Sequence, residues 1–116
     1  MSGIMIKMHG NREKSAGEIA DELIERLSAE MVGCSRRELG DMVSVLIAFE
    51  KYYFRNGSYA SLTVMLTEQG EKQTADIVGF GGGEGIFNLS WGANQDFADI
   101  AAGILEEYGF HRERQG

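Results

Sequence analysis

The sequence predicts an α+β fold, a two-layer sandwich in which both helices pack on one face of a mostly antiparallel sheet. Three observations predict it: amphipathic helical stretches near both ends, runs of alternating apolar and polar residues between them, and turn signals at the junctions. The predicted order is strand, helix, four strands, helix. The 116 residues fit a single domain, which we place at residues 1–110, with a polar tail at 111–116 that we expect to fray.

The first two elements are a short strand over residues 4–9 and an amphipathic helix. Ser15 and Glu18 have the spacing of a capping box, in which each side chain satisfies a free N–H group at the helix start. We expect the helix to end at Gly33. Its apolar stripe comprises Ile19, Ala20, Leu23, Ile24, Leu27 and Met31.

The segment over residues 36–55 fits two structures. Its apolar residues also fit helical spacing, and Ser35 with Glu38 repeats the capping-box pattern, but alternation and many β-branched and aromatic residues favour a strand. Asn56-Gly57 is typical of a two-residue hairpin turn and favours pairing with a second run over residues 60–67. This hairpin sets Phe49 opposite Val64 on an apolar face. The other face then carries the pairs Glu50 with Thr63, Tyr52 with Ser61, Ala48 with Met65 and Phe54 with Tyr59.

The remaining segments predict a second hairpin and a final helix. Strands over residues 73–80 and 86–91 are joined by the glycine-rich run 81–85, with Leu89 opposite Ile77 and Trp91 opposite Ala75. The final helix starts at an Asn94 cap and ends at Gly109. Its predicted apolar stripe comprises Phe97, Ile100, Ala101, Ile104, Leu105 and Tyr108.

Composition and charge exclude several classes of protein. The 18 acidic and 11 basic residues give a net charge of −7, which disfavours a nucleic-acid partner, since a polyanion would be repelled. No apolar run is long enough to span a membrane, and the N-terminus does not fit a signal peptide, so we expect a cytoplasmic protein. The lone Cys34 cannot form an internal disulfide, and we expect it to be half-buried and structural.

No catalytic, metal or cofactor motif stands out. The glycines at 79–85 do not fit the phosphate-loop patterns and lead into a predicted strand, so we interpret them as a hairpin loop. His9 and His111 lie at opposite ends of the chain, and neither has a second ligand at metal-binding spacing. We therefore predict no cofactor and no metal, and disfavour an enzyme.

The most informative feature is the face of the sheet opposite the helices, where polar and aromatic residues gather. A half-solvated sheet face carries such residues in any case, yet this face could also bind a small molecule, a peptide or a second copy. We expect an interaction module that forms a homodimer through this face. The alternative is a small ligand carrier or enzyme that uses Glu50 as acid or base, beside Tyr52 and Arg55. The candidate ligand or interface residues are Glu50, Tyr52, Arg55, Ser61, Thr63, Met65 and Asn88.

Two stretches carry a resemblance to a family. Phe-Glu-Lys-Tyr-Tyr-Phe-Arg-Asn-Gly-Ser with Ala-Ser-Leu-Thr over 49–63, and Gly-Gly-Gly-Glu-Gly with Ser-Trp-Gly-Ala over 81–93, resemble an uncharacterised family of short bacterial proteins. The resemblance covers Val43 to Tyr108 and implies a small cytoplasmic bacterial protein, with no catalytic residues to transfer. The order of elements also resembles TATA-box-binding-like and helix-grip folds, a likeness of architecture that says little about function.

Overall fold

The computed structural model of the chain describes residues 3–54, 57–81 and 89–114, with the backbone alone at 89–94. The described residues form two helices, α1 (Ala16–Arg26) and α2 (Leu89–Glu106). They also form six strands: β1 (Gly3–Asn11), β2 (Glu30–Leu39), β3 (Met42–Tyr53), β4 (Ser58–Gln69), β5 (Lys72–Gly81) and β6 (His111–Arg112).

All strands belong to one antiparallel sheet with the order β2-β3-β4-β5-β1-β6. One face of β1, β3, β4 and β5 packs against both helices and forms the apolar core, which includes Phe49, Ile77 and Phe97. The predicted α+β class and the two-layer arrangement are therefore confirmed. The elements from β1 to α2 follow the predicted order, and the short β6 adds one further strand after α2.

Helix α1 begins as predicted and ends earlier. The Ser15 hydroxyl accepts from the Glu18 N–H at 3.2 Å, and the Glu18 carboxylate accepts from the Ser15 N–H at 3.0 Å, which completes the capping box. The helix ends at Arg26, and Ser28 takes a left-handed φ of 43° that turns the chain into β2. The predicted stop at Gly33 is wrong, because Gly33 lies within β2. Met31, placed on the helix stripe, is 43% exposed there.

Residues 36–53 are extended within β2 and β3, as the hairpin prediction required, but they contain an additional turn. Leu39 pairs with Met42 across a two-residue loop at Gly40-Asp41, and Gly40 adopts a φ of +60°. A glycine at the first loop position is typical of a type II′ hairpin turn. The second capping-box pattern, at Ser35 and Glu38, therefore lies within β2 and caps no helix.

The β3–β4 hairpin has the predicted faces and a register that differs by two residues. Phe49 lies opposite Leu62, not Val64, because the connection spans the four residues 54–57 and closes at the pair Tyr53 and Ser58. The Gly57 N–H donates to the Tyr53 carbonyl at 2.8 Å, and Gly57 takes a φ of +66°. Since side chains alternate with a period of two, a shift of two leaves every residue on its predicted face.

The predicted second hairpin is wrong. Residues Leu89–Trp91 form the first turn of α2, which therefore starts before the predicted Asn94 cap, and β5 pairs with β1 instead. In the pairing of β5 with β1, Ile77 lies opposite Ile6, and Ala75 lies opposite Met8. The alternation at 87–91 spans three apolar positions, and so short a run does not separate a strand from a helix.

The C-terminal end of α2 and the residues after it also depart in part from prediction. Gly109 takes a φ of +89° beyond the helix end, as a C-terminal glycine should, but Ile100 is 41% exposed and lies off the buried stripe. His111 and Arg112 form β6 within the segment expected to fray. They pair with β1, and the Glu113 N–H donates to the Lys7 carbonyl at 2.7 Å.

A buried polar network joins the start of α1 to the β4–β5 hairpin. Glu68 and Gln73 are buried. One Glu68 carboxylate oxygen accepts from the Ala16 N–H and from the Gln73 amide, each at 2.8 Å. The same amide donates to the Lys14 carbonyl at 2.7 Å. This network fixes the N-terminus of α1 over the end of the sheet, where a carboxylate also suits the helix dipole.

The two helices are connected by an exposed ion pair. The Arg26 guanidinium donates twice to the Glu107 carboxylate, at 2.9 and 2.8 Å, and the Tyr108 hydroxyl donates to Glu22 at 2.9 Å. The hydrogen bonds from Arg26 lower the pKa of Glu107 below its usual value of 4.5. The hydrogen bond to Glu22 raises the pKa of Tyr108.

We predict a pH-dependent contribution from this ion pair. Because the folded-state pKa of Glu107 is depressed, its stabilisation is complete above the unfolded-state value of 4.5 and is lost as the pH falls through the lower folded-state value. The variant Glu107→Gln should melt no more than about 3 °C below the wild type at neutral pH. This difference should shrink below pH 4.5 in a series of thermal melts. A difference that stays constant down to strongly acidic pH would contradict the assignment.

Candidate functional site

The face of the sheet opposite the helices, here called the open face, is uncovered within the described part of the chain. Strand alternation and register place on it a set of large apolar side chains from five strands, each between 38% and 72% exposed. Single exposed apolar residues are ordinary, but a contiguous set marks a surface for interaction. The set comprises Met5, Leu39, Leu46, Tyr52, Tyr59, Met65 and Phe80.

An aromatic cluster stands at the β3–β4 hairpin end of the open face. Tyr52 and Tyr59 are directly opposite each other, with ring centroids 5.0 Å apart, and the Phe54 ring lies 5.1 Å from Tyr52 in an edge-to-face arrangement. Phe54 is 89% exposed. Rings that contact one another in this way present a rigid apolar surface at low cost in side-chain entropy.

The structure brings several of the predicted site residues together on the open face. Glu50 and Ser61 are direct neighbours across β3 and β4, and Thr63 and Met65 follow along β4. The Ser61 hydroxyl is already engaged, donating to the Phe80 carbonyl at 2.9 Å. Arg55 and Asn88 lie outside the described residues. Ser90 belongs to α2, and Asp76, also on the open face, lies opposite Lys7 of β1.

Charges on the open face are separated along the β2–β3 edge. Glu30 lies directly opposite Glu50 at one end of this edge. Arg37 lies at the other end, opposite Ser44. Within the described residues, none of Glu30, Arg37 and Glu50 forms an ion pair. Two like charges directly opposite each other on a sheet are mutually destabilising.

The topology corrects the expectation for the two histidines. His9 and His111 are direct neighbours across β1 and β6, with ring centroids 6.2 Å apart, although they are distant in sequence. Glu113 lies 3.7 Å from His9 Nδ1. Over residues 3–54, 57–81 and 89–114, no group of three or more His, Cys, Asp and Glu side chains has a metal-binding arrangement.

Two further expectations change. The glycine-rich segment leads from β5 into α2 and not into a strand, and its residues 82–88 lie outside the described part of the chain. Cys34 is exposed on β2 and not half-buried. It borders a groove of about 320 Å³ between α1 and β2, in which the Arg36 side chain lies over Gly17. The groove is lined by Ser15, Gly17, Glu18, Ala20, Asp21, Cys34, Arg36 and Val45.

Sequence reasoning missed the charged residues of β2 and the buried Glu68. The helix predicted to end at Gly33 includes Glu30, so the sequence does not predict its position opposite Glu50. The signal that could have revealed it is Gly40-Asp41, a hairpin dipeptide that would have set a strand before residue 40. Glu68 continues the even-numbered core face of β4 beyond Leu66, so its burial followed from alternation.

No helix among the described residues is long and apolar enough to cross a membrane.

Comparison with known proteins places the chain in a family. A family model described as a family of unknown function, DUF6054, matches residues 1–109. No curated protein and no solved structure matches the chain. The match confirms the predicted membership of an uncharacterised family, while a bacterial origin stays a prediction. The match to the family model spans both helices and the strands β1 to β5, so the chain belongs to this family of unknown function.

Proposed function

We propose that the protein is a binding module that self-associates through the open face, with a second copy of the chain as its partner. The observation that carries the proposal is the set of large, exposed apolar side chains on this one face. Burial of apolar area is the main driving force for stable association. In a symmetric dimer the same patch serves both copies, so one such face is sufficient.

The size of the open face fits a dimer interface. Five long strands at about 4.8 Å spacing, with about ten residues each at about 3.4 Å, give a face on the order of 800 Å². A stable protein–protein interface buries about 800 Å² on each partner. A single small ligand would leave most of this area uncovered.

The open face is apolar where β3 and β4 cross its centre. Leu46 and Met65 are direct neighbours across β3 and β4, and the next row holds Ala48 and Thr63. Glu30, Glu50 and Arg37 stand on the β2 side of these rows, and Asp76 and Lys7 continue the Leu46–Met65 row toward β1. Interfaces of this kind place apolar residues at the centre and charges at the edge.

The groove between α1 and β2 lies on the helix side of the sheet, away from Glu50 and Tyr52. It therefore lends no support to the ligand carrier or enzyme that would use those residues. The aromatic cluster beside Glu50 is instead continuous with the apolar set of the open face.

Met65→Asp tests the proposal. A carboxylate at the centre of the interface would be buried without a partner, so the dissociation constant should rise at least about tenfold. Tyr52→Ala, nearer the rim, should weaken the dimer less. Multi-angle light scattering over a concentration series measures both effects.

Ile100→Asp is the matched control. Ile100 is exposed to nearly the same degree as Met65, at 41% against 38%, but it lies on α2 in the other layer. This variant should remain a dimer. A wild-type protein that is monomeric at every concentration, or a Met65→Asp variant that dimerises like the wild type, would refute self-association through the open face.

A further inference from the structure

We propose that the two copies in this dimer are related by a two-fold axis that crosses the strands at a right angle, so that Arg37 of each copy binds Glu30 and Glu50 of the other. The inference rests on the proposed self-association and specifies its geometry. It assigns a partner to three charges that have none within the described residues.

The spacing of rows on the open face supports this axis. Glu30 and Glu50 form one row, Ala48 with Thr63 the next, Leu46 with Met65 the third, and Arg37 with Ser44 the fourth. An axis between the second and third rows maps the first row onto the fourth. Each acidic pair of one copy then lies over the arginine of the other, and the Ala48–Thr63 row of each copy meets the Leu46–Met65 row of the other.

The chemistry of the acidic pair favours an arginine. Two carboxylates directly opposite each other repel in the isolated chain, and a guanidinium between them removes this repulsion while it donates to both. Tyr52 follows Glu50 by two residues on the same face, so its ring borders the same position. A guanidinium also stacks well against an aromatic ring.

A face-to-face arrangement about an axis parallel to the strands is less favourable. An axis parallel to the strands, along β4, would place β2 of one copy over β1 of the other. Arg37 would then approach the partner's His9, and Leu46 would lie over Asp76. That arrangement leaves Glu30 and Glu50 without a cation, whereas Asp76 lies over an apolar residue about either axis, Leu46 here and Val78 about the axis across the strands.

A charge exchange between two variants tests the axis. The first variant carries Arg37→Glu, and the second carries both Glu30→Arg and Glu50→Arg. Each variant alone sets like charges against each other twice, so its dimerisation should weaken at least about tenfold. In an equimolar mixture one contact is restored with reversed sign and the other is the native contact, so a heterodimer should form with an affinity close to that of the wild type.

Arg36→Glu provides the matched control. It changes the net charge by the same amount as Arg37→Glu, one residue away, but Arg36 lies on the helix side of β2 over Gly17. The Arg36→Glu variant should therefore dimerise with the affinity of the wild type. Circular dichroism checks that all variants are folded, and native mass spectrometry separates the heterodimer from the homodimers by mass.

The outcomes separate this inference from the proposal on which it rests. A wild-type dimer whose charge variants do not recombine, or whose variants dimerise alone like the wild type, overturns the axis and leaves self-association intact. A monomeric wild type overturns both. Recombination of the two variants, each monomeric alone, would establish the axis.

Discussion

Phe49→Ala is expected to cost about 3–5 kcal/mol of the free energy of unfolding. The Phe49 ring is 1% exposed, lies on the core face of β3 opposite Leu62, and belongs to the apolar cluster between the sheet and the helices. Its truncation removes the transfer energy of the ring and leaves a cavity that the surrounding structure fills only in part. A domain of this size has a free energy of unfolding of about 5–15 kcal/mol, so this loss is a large fraction of its stability.

Phe54→Ala is the control, because that ring is 89% exposed and its removal should change the free energy of unfolding by no more than about 0.5 kcal/mol. Phe49→Leu, with an expected cost of about 1.5 kcal/mol, covers the case in which the alanine variant does not fold. Urea unfolding in a Met65→Asp background keeps self-association out of the comparison. Equal losses at positions 49 and 54 would show that the Phe49 ring does not lie in the core.

The sequence predicted those features that depend on neighbours close in the chain. The Ser15 and Glu18 capping box needs only a three-residue spacing, and the faces of β3 and β4 follow from alternation alone. The end of α1 was misplaced because Leu27 and Met31 continue the helical spacing. The turn at Ser28 depends on a left-handed φ, which serine adopts at an energetic cost and which no sequence pattern predicts.

The features that were missed depend on contacts between distant parts of the chain. β1 occupies the edge of β5 that was assigned to residues 86–91, and β6 returns to β1, which brings His9 and His111 together. Local patterns carry no information on which strand fills a free edge. Alternation along a local hairpin predicts the candidate residues on β3 and β4. Glu30 and Arg37, in contrast, join them only through the pairing of β2 with β3.

The buried network at the start of α1 supports the second large prediction. Glu68→Ala should cost about 2–4 kcal/mol, because it leaves the Ala16 N–H without its acceptor and the buried Gln73 amide with one partner fewer. Glu68→Gln keeps the shape and one acceptor oxygen, so it should cost about half as much. Glu71→Ala, in the exposed turn of the same hairpin, should change the free energy of unfolding by no more than about 0.5 kcal/mol.

Two measurements identify the mechanism behind that loss. Hydrogen exchange should show a faster Ala16 amide in Glu68→Ala under native conditions, since this hydrogen bond fixes the helix start. A double-mutant cycle with Gln73→Ala should give a coupling of about 1 kcal/mol, because the two side chains share one hydrogen bond and truncating either also affects the other. Additive losses and an unchanged Ala16 amide would mean that Glu68 contributes by filling space. The start of α1 would then be held by its capping box and apolar stripe, without this carboxylate.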